Sequence, residues 1–205
     1  MPTELPCRFL PRPLVLLAAQ LAALGLMAAG CSRVQHDPAS GGSGRPAPSA
    51  DSAGGDVKLL VLSFEDIQQL ISSQKGKVVV LDCWSTSCEP CMKEFPGLVA
   101  LHRKYGPDRV ACISLSFDYE GLGKPEDVQQ PVLDFLRQQQ ATFTNVLCSD
   151  ESDLLYDRLE LASIPAVFVY NQQGKLVKRF TTSDPSQPAF TYRDVQRLVE
   201  QLLAG

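Results

Sequence analysis

The sequence predicts a mixed α/β sheet covered by helices on both faces. Three observations predict it. Strand-like apolar runs alternate with stretches of helical periodicity along residues 57–205. One run, Val78 to Leu81, is apolar at every position, as a strand covered on both sides must be. The alternation closes with a hairpin and a helix. Taken in order, Val57 to Leu62 is a first strand, and Ser63 caps a helix carrying Phe64, Ile67, Leu70 and Ile71 on one face, which Gly76 breaks. Lys77 to Cys83 reads as a central parallel strand. Cys88 to Tyr105 places Cys91, Phe95, Leu98, Val99 and His102 at helical spacing, with Pro96 expected to kink it. Arg109 to Phe117 is a strand; Pro131 to Gln140 and Ser152 to Leu161 are helices, with a short strand, Val146 to Cys148, between them. Ala166 to Tyr170 and Leu176 to Thr181 flank the turn Asn171-Gln172-Gln173-Gly174, and Tyr192 to Leu203 turns Val195, Leu198, Val199 and Leu202 inward.

Composition narrows the functional classes. With 44% hydrophobic and 20% charged residues in 205, the chain fits one globular domain with extra sequence attached. The net charge is −4 and the 19 Lys and Arg are scattered, so there is no electrostatic footprint for nucleic acid. Seven cysteines are too few for a small disulfide scaffold and have to be read by position.

Residues 1–30 read as a targeting segment. Arg8 and Arg12 precede an apolar stretch from Leu14 to Gly30 that ends Ala28-Ala29-Gly30-Cys31. This ending resembles the lipobox of bacterial lipoproteins, which implies cleavage before Cys31 and lipidation of its thiol, although Ala28 stands where Leu is usual. An uncleaved anchor and a plain secretory signal are the alternatives, and all three place the remainder outside the cytoplasm. Residues 31–56 are expected to form a flexible tether: from Ser32 to Asp56, 17 of 25 positions are Gly, Pro, Ser or Ala. A coil of that length spans roughly 28 Å. His36 within it reads as a solvated residue.

The chemistry centres on Cys88-Glu89-Pro90-Cys91, which follows the central strand and opens a helix. There Cys88 meets unpaired backbone N–H groups and the positive end of the helix dipole, which stabilise a thiolate. Cys91, one turn on and less exposed, can attack a mixed disulfide formed through Cys88, and Pro90 stiffens the turn. A lone Cys-x-x-Cys could be half of a zinc site, but Cys112 and Cys148 are isolated and no His stands at ligand spacing. A structural disulfide without redox work is the other reading.

Val78-Val-Val-Leu-Asp-Cys-Trp-Ser-Thr-Ser-Cys-Glu-Pro-Cys-Met-Lys-Glu-Phe-Pro96 and Ser163-Ile-Pro-Ala-Val-Phe-Val-Tyr170 resemble the thioredoxin superfamily, and specifically its extracytoplasmic ResA/TlpA branch. The tetrad followed by Lys-Glu-Phe-Pro, and the extra segment around Phe117 to Gln140, point to that branch. The resemblance implies a thioredoxin-like fold and a membrane-tethered thiol-disulfide oxidoreductase, reductive in direction. Its partners would be protein thiols and disulfides such as apocytochrome c. A membrane electron donor of the DsbD/CcdA type would recharge it, and no cofactor or metal is expected beyond the Cys88–Cys91 disulfide.

Site roles carry over residue by residue. Trp84 matches the family Trp beside the active-site loop, though a Trp at a strand end also serves as core. Pro165 matches the family cis-proline, which would let Ile164 present its backbone to an extended substrate. Asp82, six residues before Cys88, stands where cytoplasmic thioredoxins have a buried acid; burial would raise its pKa and let it take the Cys91 proton through water. The alternative is an Asp bound to backbone at a strand end. Glu89 would oppose a thiolate beside it and so tune the pair. Ser87 departs from the family, where Trp is common. Cys83, Cys112 and Cys148 fall in strand-like runs and are expected as buried free thiols. Two other readings stay open. One is a redox-inert binding or scaffold module. The other is a copper-handling or peroxide-reducing relative, although a Sco-like copper site needs Cys-x-x-x-Cys and a distant His, and His102 lies within the active-site helix.

Overall fold

The computed structural model describes residues 56–182 and 189–205. The expected signal segment, Cys31 and nearly all of the tether lie outside the described residues. Among those described, no helix is long and apolar enough to cross a membrane.

The strands are β1 (Leu60–Leu62), β2 (Val78–Trp84), β3 (Val110–Ser116), β4 (Thr144–Cys148), β5 (Ala166–Tyr170) and β6 (Leu176–Thr181). The helices are α1 (Phe64–Ser73), α2 (Glu89–Arg109), α3 (Gln129–Gln138), α4 (Ser152–Leu159) and α5 (Tyr192–Ala204), with a 3-10 turn at Pro125–Val128 ahead of α3. One sheet runs in the order β1-β4-β3-β2-β5-β6. β2 is parallel to β3 and antiparallel to β5. The expected central strand is therefore the point at which the sheet changes from parallel to antiparallel.

The continuous apolar run works as the sequence suggests, because all seven residues of β2 are buried. Alternation sends Val78, Val80 and Trp84 into a core with α2, α3 and α5. Val79, Leu81 and Cys83 enter a second core with α1 and α4. Helices thus cover both faces, and Asp82, in phase with Val80 and Trp84, points to the α2/α5 side. Ser63 caps α1 as expected, its hydroxyl accepting from the Asp66 N–H. Buried Asn145 donates to the carbonyls of Ala141, Phe143 and Lys58 and accepts from the Ser114 hydroxyl, tying the inserted strand β4 to β3 and to the segment entering β1.

Two expectations are corrected. The first strand is only three residues long, since pairing with β4 begins at Leu60↔Val146 and leaves Val57 to Leu59 unpaired. The interruption of the second helix falls at Gly106 (φ 63°) and not at Pro96. Pro96 costs one intrahelical N–H but keeps helical angles, whereas Gly106 adopts a left-handed φ that only glycine takes cheaply.

Candidate active site

Strand register brings the site together. Cys83 pairs with Ala166, and Trp84 with Ser116. The loop leaving β2 toward Cys88, the loop entering β5 through Ile164 and Pro165, and the segment after β3 therefore emerge at the same end of the sheet. Ligand and catalytic groups collect at such a switch point.

Cys88 is the N-cap of α2, and its sulfur accepts from the Cys91 N–H at 3.3 Å. Cys88 and Cys91 form a disulfide with a Cα–Cα distance of 5.3 Å. Cys88 is half-buried, while Cys91 retains 3% exposure. Glu89 and Pro90 are exposed in the first turn, where a carboxylate also complements the helix dipole. The approach loop is pinned by Asp118. One of its carboxylate oxygens accepts from both the N–H and the hydroxyl of Thr86, and the other from the Ser116 hydroxyl. Phe117 closes the turn by donating its N–H to the Trp84 carbonyl.

The Ile164–Pro165 peptide bond is cis. Ile164 and Cys88 are half-buried and pack against the same core. Of the two readings of Trp84, loop neighbour and core, the structure gives core: it has no exposed surface and packs between Phe95 and Phe135, ring centroids 5.0 and 4.8 Å away, so it offers a substrate no contact. It supports the loop from below, because the alternation of β2 turns it inward.

Asp82 is 4% exposed and accepts a 2.6 Å hydrogen bond from the Tyr192 hydroxyl. It is therefore bound by a side chain of α5 and not by backbone. Burial pushes its pKa up to about 7; the Tyr192 bond works against that rise and the charge of Glu94 adds to it. The Glu94 carboxylate accepts from the Tyr192 backbone N–H at 3.3 Å. Cys83, Cys112 and Cys148 are buried and free. Burial holds Cys83 well above the usual thiol range, Cys112 at about 12 and Cys148 at about 11, so none supplies thiolate near neutrality.

Sequence reasoning missed Asp118, Glu94 and Tyr192. Asp118 had a signal, an acid two residues beyond an apolar strand. Glu94 had one in its place a turn after Cys91. Tyr192 had none, being 110 residues from its partner.

Clefts of about 340 and 220 Å³ flank Ser87, the first lined by Ser85, Phe117, Glu120, Asp153 and Tyr156, the second by Thr86, Asp118, Val128 and Pro131. A larger cleft of about 480 Å³ lies between β6 and α5 and includes neither cysteine, so its size does not mark the chemistry.

An N-capping cysteine, its disulfide partner and a cis-proline thus meet at one sheet end. The AhpC/TSA family model matches residues 50–179. The chain belongs to the AhpC/TSA family. Within that family it is similar to the thiol-disulfide oxidoreductase ResA of Bacillus subtilis, at 29% identity over 131 residues, which are 63% of this chain and 68% of the relative. The sporulation thiol-disulfide oxidoreductase A of the same organism is 30% identical over 104 residues, covering 51% of this chain and 59% of that one. A Chlorobium tepidum structure assigned as a thiol:disulfide interchange protein DsbE aligns with a TM-score of 0.51 at 21% identity, covering 65% of this chain and 84% of its own, and supports the thioredoxin-like fold. This AhpC/TSA member is thus a relative of thiol-disulfide oxidoreductases, with its cysteine pair in the disulfide form.

Proposed function

We propose that the protein is an extracytoplasmic thiol-disulfide oxidoreductase that reduces protein disulfides through Cys88 and Cys91. The observation that carries this reading is a disulfide whose half-exposed member caps a helix while the other is buried one turn later. In the reduced protein the Cys88 thiolate attacks one sulfur of a substrate disulfide. The substrate S–S bond breaks, one substrate sulfur leaves as a thiolate that takes a proton from solvent, and a Cys88–substrate disulfide forms. Cys91 then passes its proton through water to Asp82 and attacks the Cys88 sulfur, and the second substrate sulfur leaves as a thiolate and takes up that proton. Two electrons move to the substrate, whose two thiols take one proton from Cys91 by way of Asp82 and one from solvent, and the protein ends with the Cys88–Cys91 disulfide. Ile164 and Pro165 would line the substrate strand, Glu89 would tune the pair, and no cofactor beyond the disulfide is needed. Apocytochrome c is a candidate substrate and a DsbD/CcdA-type membrane protein a candidate reductant.

The direct test is insulin reduction with and without dithiothreitol. Catalysed precipitation of the insulin chains above the dithiothreitol background is the expected result. A rate equal to background would leave a redox-inert module as the better reading.

Cys31 is the proposed lipid attachment point, holding the domain at the membrane through the tether. Cys31→Ser is expected to abolish lipid labelling and signal processing in cells. Normal labelling and membrane attachment of that variant would overturn it.

A further inference from the structure

We propose that Tyr192 is a positioning residue for the resolving step: from α5 it holds two acids, Asp82 through its hydroxyl and Glu94 through its backbone N–H, and thereby governs proton exchange at Asp82. The kinetic part rests on the reading of Cys88 and Cys91 as a working redox pair; the part concerning Asp82 does not.

The geometry is specific. Thr191 and Asp194 form a capping box that starts α5, leaving the N–H of Tyr192 as one of the first-turn groups without an intrahelical partner. That group binds the Glu94 carboxylate of α2, three residues beyond Cys91. The ring then runs inward past Gly97, where an added Cβ would overlap the Tyr192 Cβ and ring, and delivers the hydroxyl to Asp82 on β2. Ring and hydroxyl are thus fixed from two sides. A buried phenol needs an acceptor, and here the acceptor is the one ionisable group of β2 on the Cys91 face.

Several groups surround Asp82. Glu94 acts on it from α2, Tyr192 from α5 and Cys112 from β3, and Cys91 of α2 belongs to the core on the same face of β2. Cys83 lies beside it on β2, itself acted on by Arg179 of β6 and coupled to Tyr170 of β5. Burial holds Cys83, Cys112, Tyr170 and Tyr192 above their ordinary ranges, so none of them titrates near pH 7. The Tyr192 hydroxyl donates to the carboxyl and so favours its ionised form. Deleting it leaves burial and Glu94 unopposed, and the titration of Asp82 moves to higher pH.

The test is Tyr192→Phe, which keeps the ring against Gly97. The carboxyl band of protonated Asp82, identified by its loss in Asp82→Asn, is followed by infrared titration of the oxidised protein. Its midpoint is expected to rise by about 1 to 2 pH units. In stopped-flow resolution of a preformed Cys88 mixed disulfide, the pH profile should move by the same amount. A rise of one unit slows the step about fivefold at pH 7, with the deficit gone at pH 9. A purely structural role would change the rate equally at all pH values and leave both midpoints in place, and that result overturns the proposal. An infrared shift without any measurable resolution would keep the role of Tyr192 and overturn the redox reading alone. If Tyr192→Phe does not fold, fluorotyrosine at position 192 is a stronger donor of nearly the same size. It should lower the infrared midpoint, and an unchanged midpoint would count against the proposal.

Discussion

Replacing Cys91 with serine is expected to trap the protein as a mixed disulfide with its substrates, stoichiometrically and through Cys88, while Cys88→Ser traps none. The difference follows from position. Cys88 sits half-exposed at the start of α2, where the dipole and the free N–H groups of the first turn meet its sulfur, whereas Cys91 is 3% exposed beneath it. Only Cys88 can meet a bulky disulfide, and without Cys91 the resulting bond has no internal nucleophile to break it. Both variants should lose turnover down to the dithiothreitol background, so the informative readout is the adduct. Mass spectrometry of the trapped species and limited alkylation of the reduced parent measure it, and Cys88 should be modified first. Earlier modification of Cys91, or adducts in Cys88→Ser, would reverse the roles. The three free thiols do not confuse this measurement, since burial keeps them protonated near neutrality.

Local pattern made the frame legible. Val78 to Leu81 announced a strand covered on both faces, Ser63 announced a cap, and Asn171 to Gly174 announced the β5–β6 turn, because each signal lies within a few residues of its effect. Cys-x-x-Cys at a helix start was equally local. What could not be read depends on register and on contacts between distant segments. Whether Trp84 faces a partner or the core is decided by its phase on β2 and by Phe135, 51 residues later in α3. Asp118 serves Thr86 only because β2 and β3 end in register at Trp84 and Ser116. The meeting of Asp82 and Tyr192 needs the whole sheet, the passage of α2 across it and a glycine at 97 to let the ring through. Burial of the acid was expected from its apolar strand, but the identity of the group that answers it was not.

Asp82→Asn is expected to slow resolution of a Cys88 mixed disulfide at neutral pH by about 10² to 10⁴, the range for loss of a general base, and by less where water takes the proton instead. Formation of the mixed disulfide should survive, because the helix start that stabilises Cys88 is untouched. Folding stability should respond with its own sign. The carboxyl of Asp82 titrates at about 7 in the folded protein, against an ordinary value of 3.8. The folded state therefore holds its proton more tightly than the unfolded chain does. Stability from this group is fully present below about pH 4 and is lost as pH rises through about 7. At about 1.4 kcal/mol per pH unit the loss amounts to about 4 kcal/mol by pH 8. Asparagine has no such charge to bury and still accepts from the Tyr192 hydroxyl, although its amide N–H groups lack an acid's tolerance of the site, a cost independent of pH. The stability of Asp82→Asn relative to the parent should therefore climb from pH 4 to pH 8 while its resolution rate falls behind. Denaturant melts at the two pH values and stopped-flow mixing measure the two effects separately. The two outcomes decide different points: equal resolution rates in variant and parent would remove Asp82 from the proton path, and a pH-independent stability difference would mean that the carboxyl never carries the buried charge.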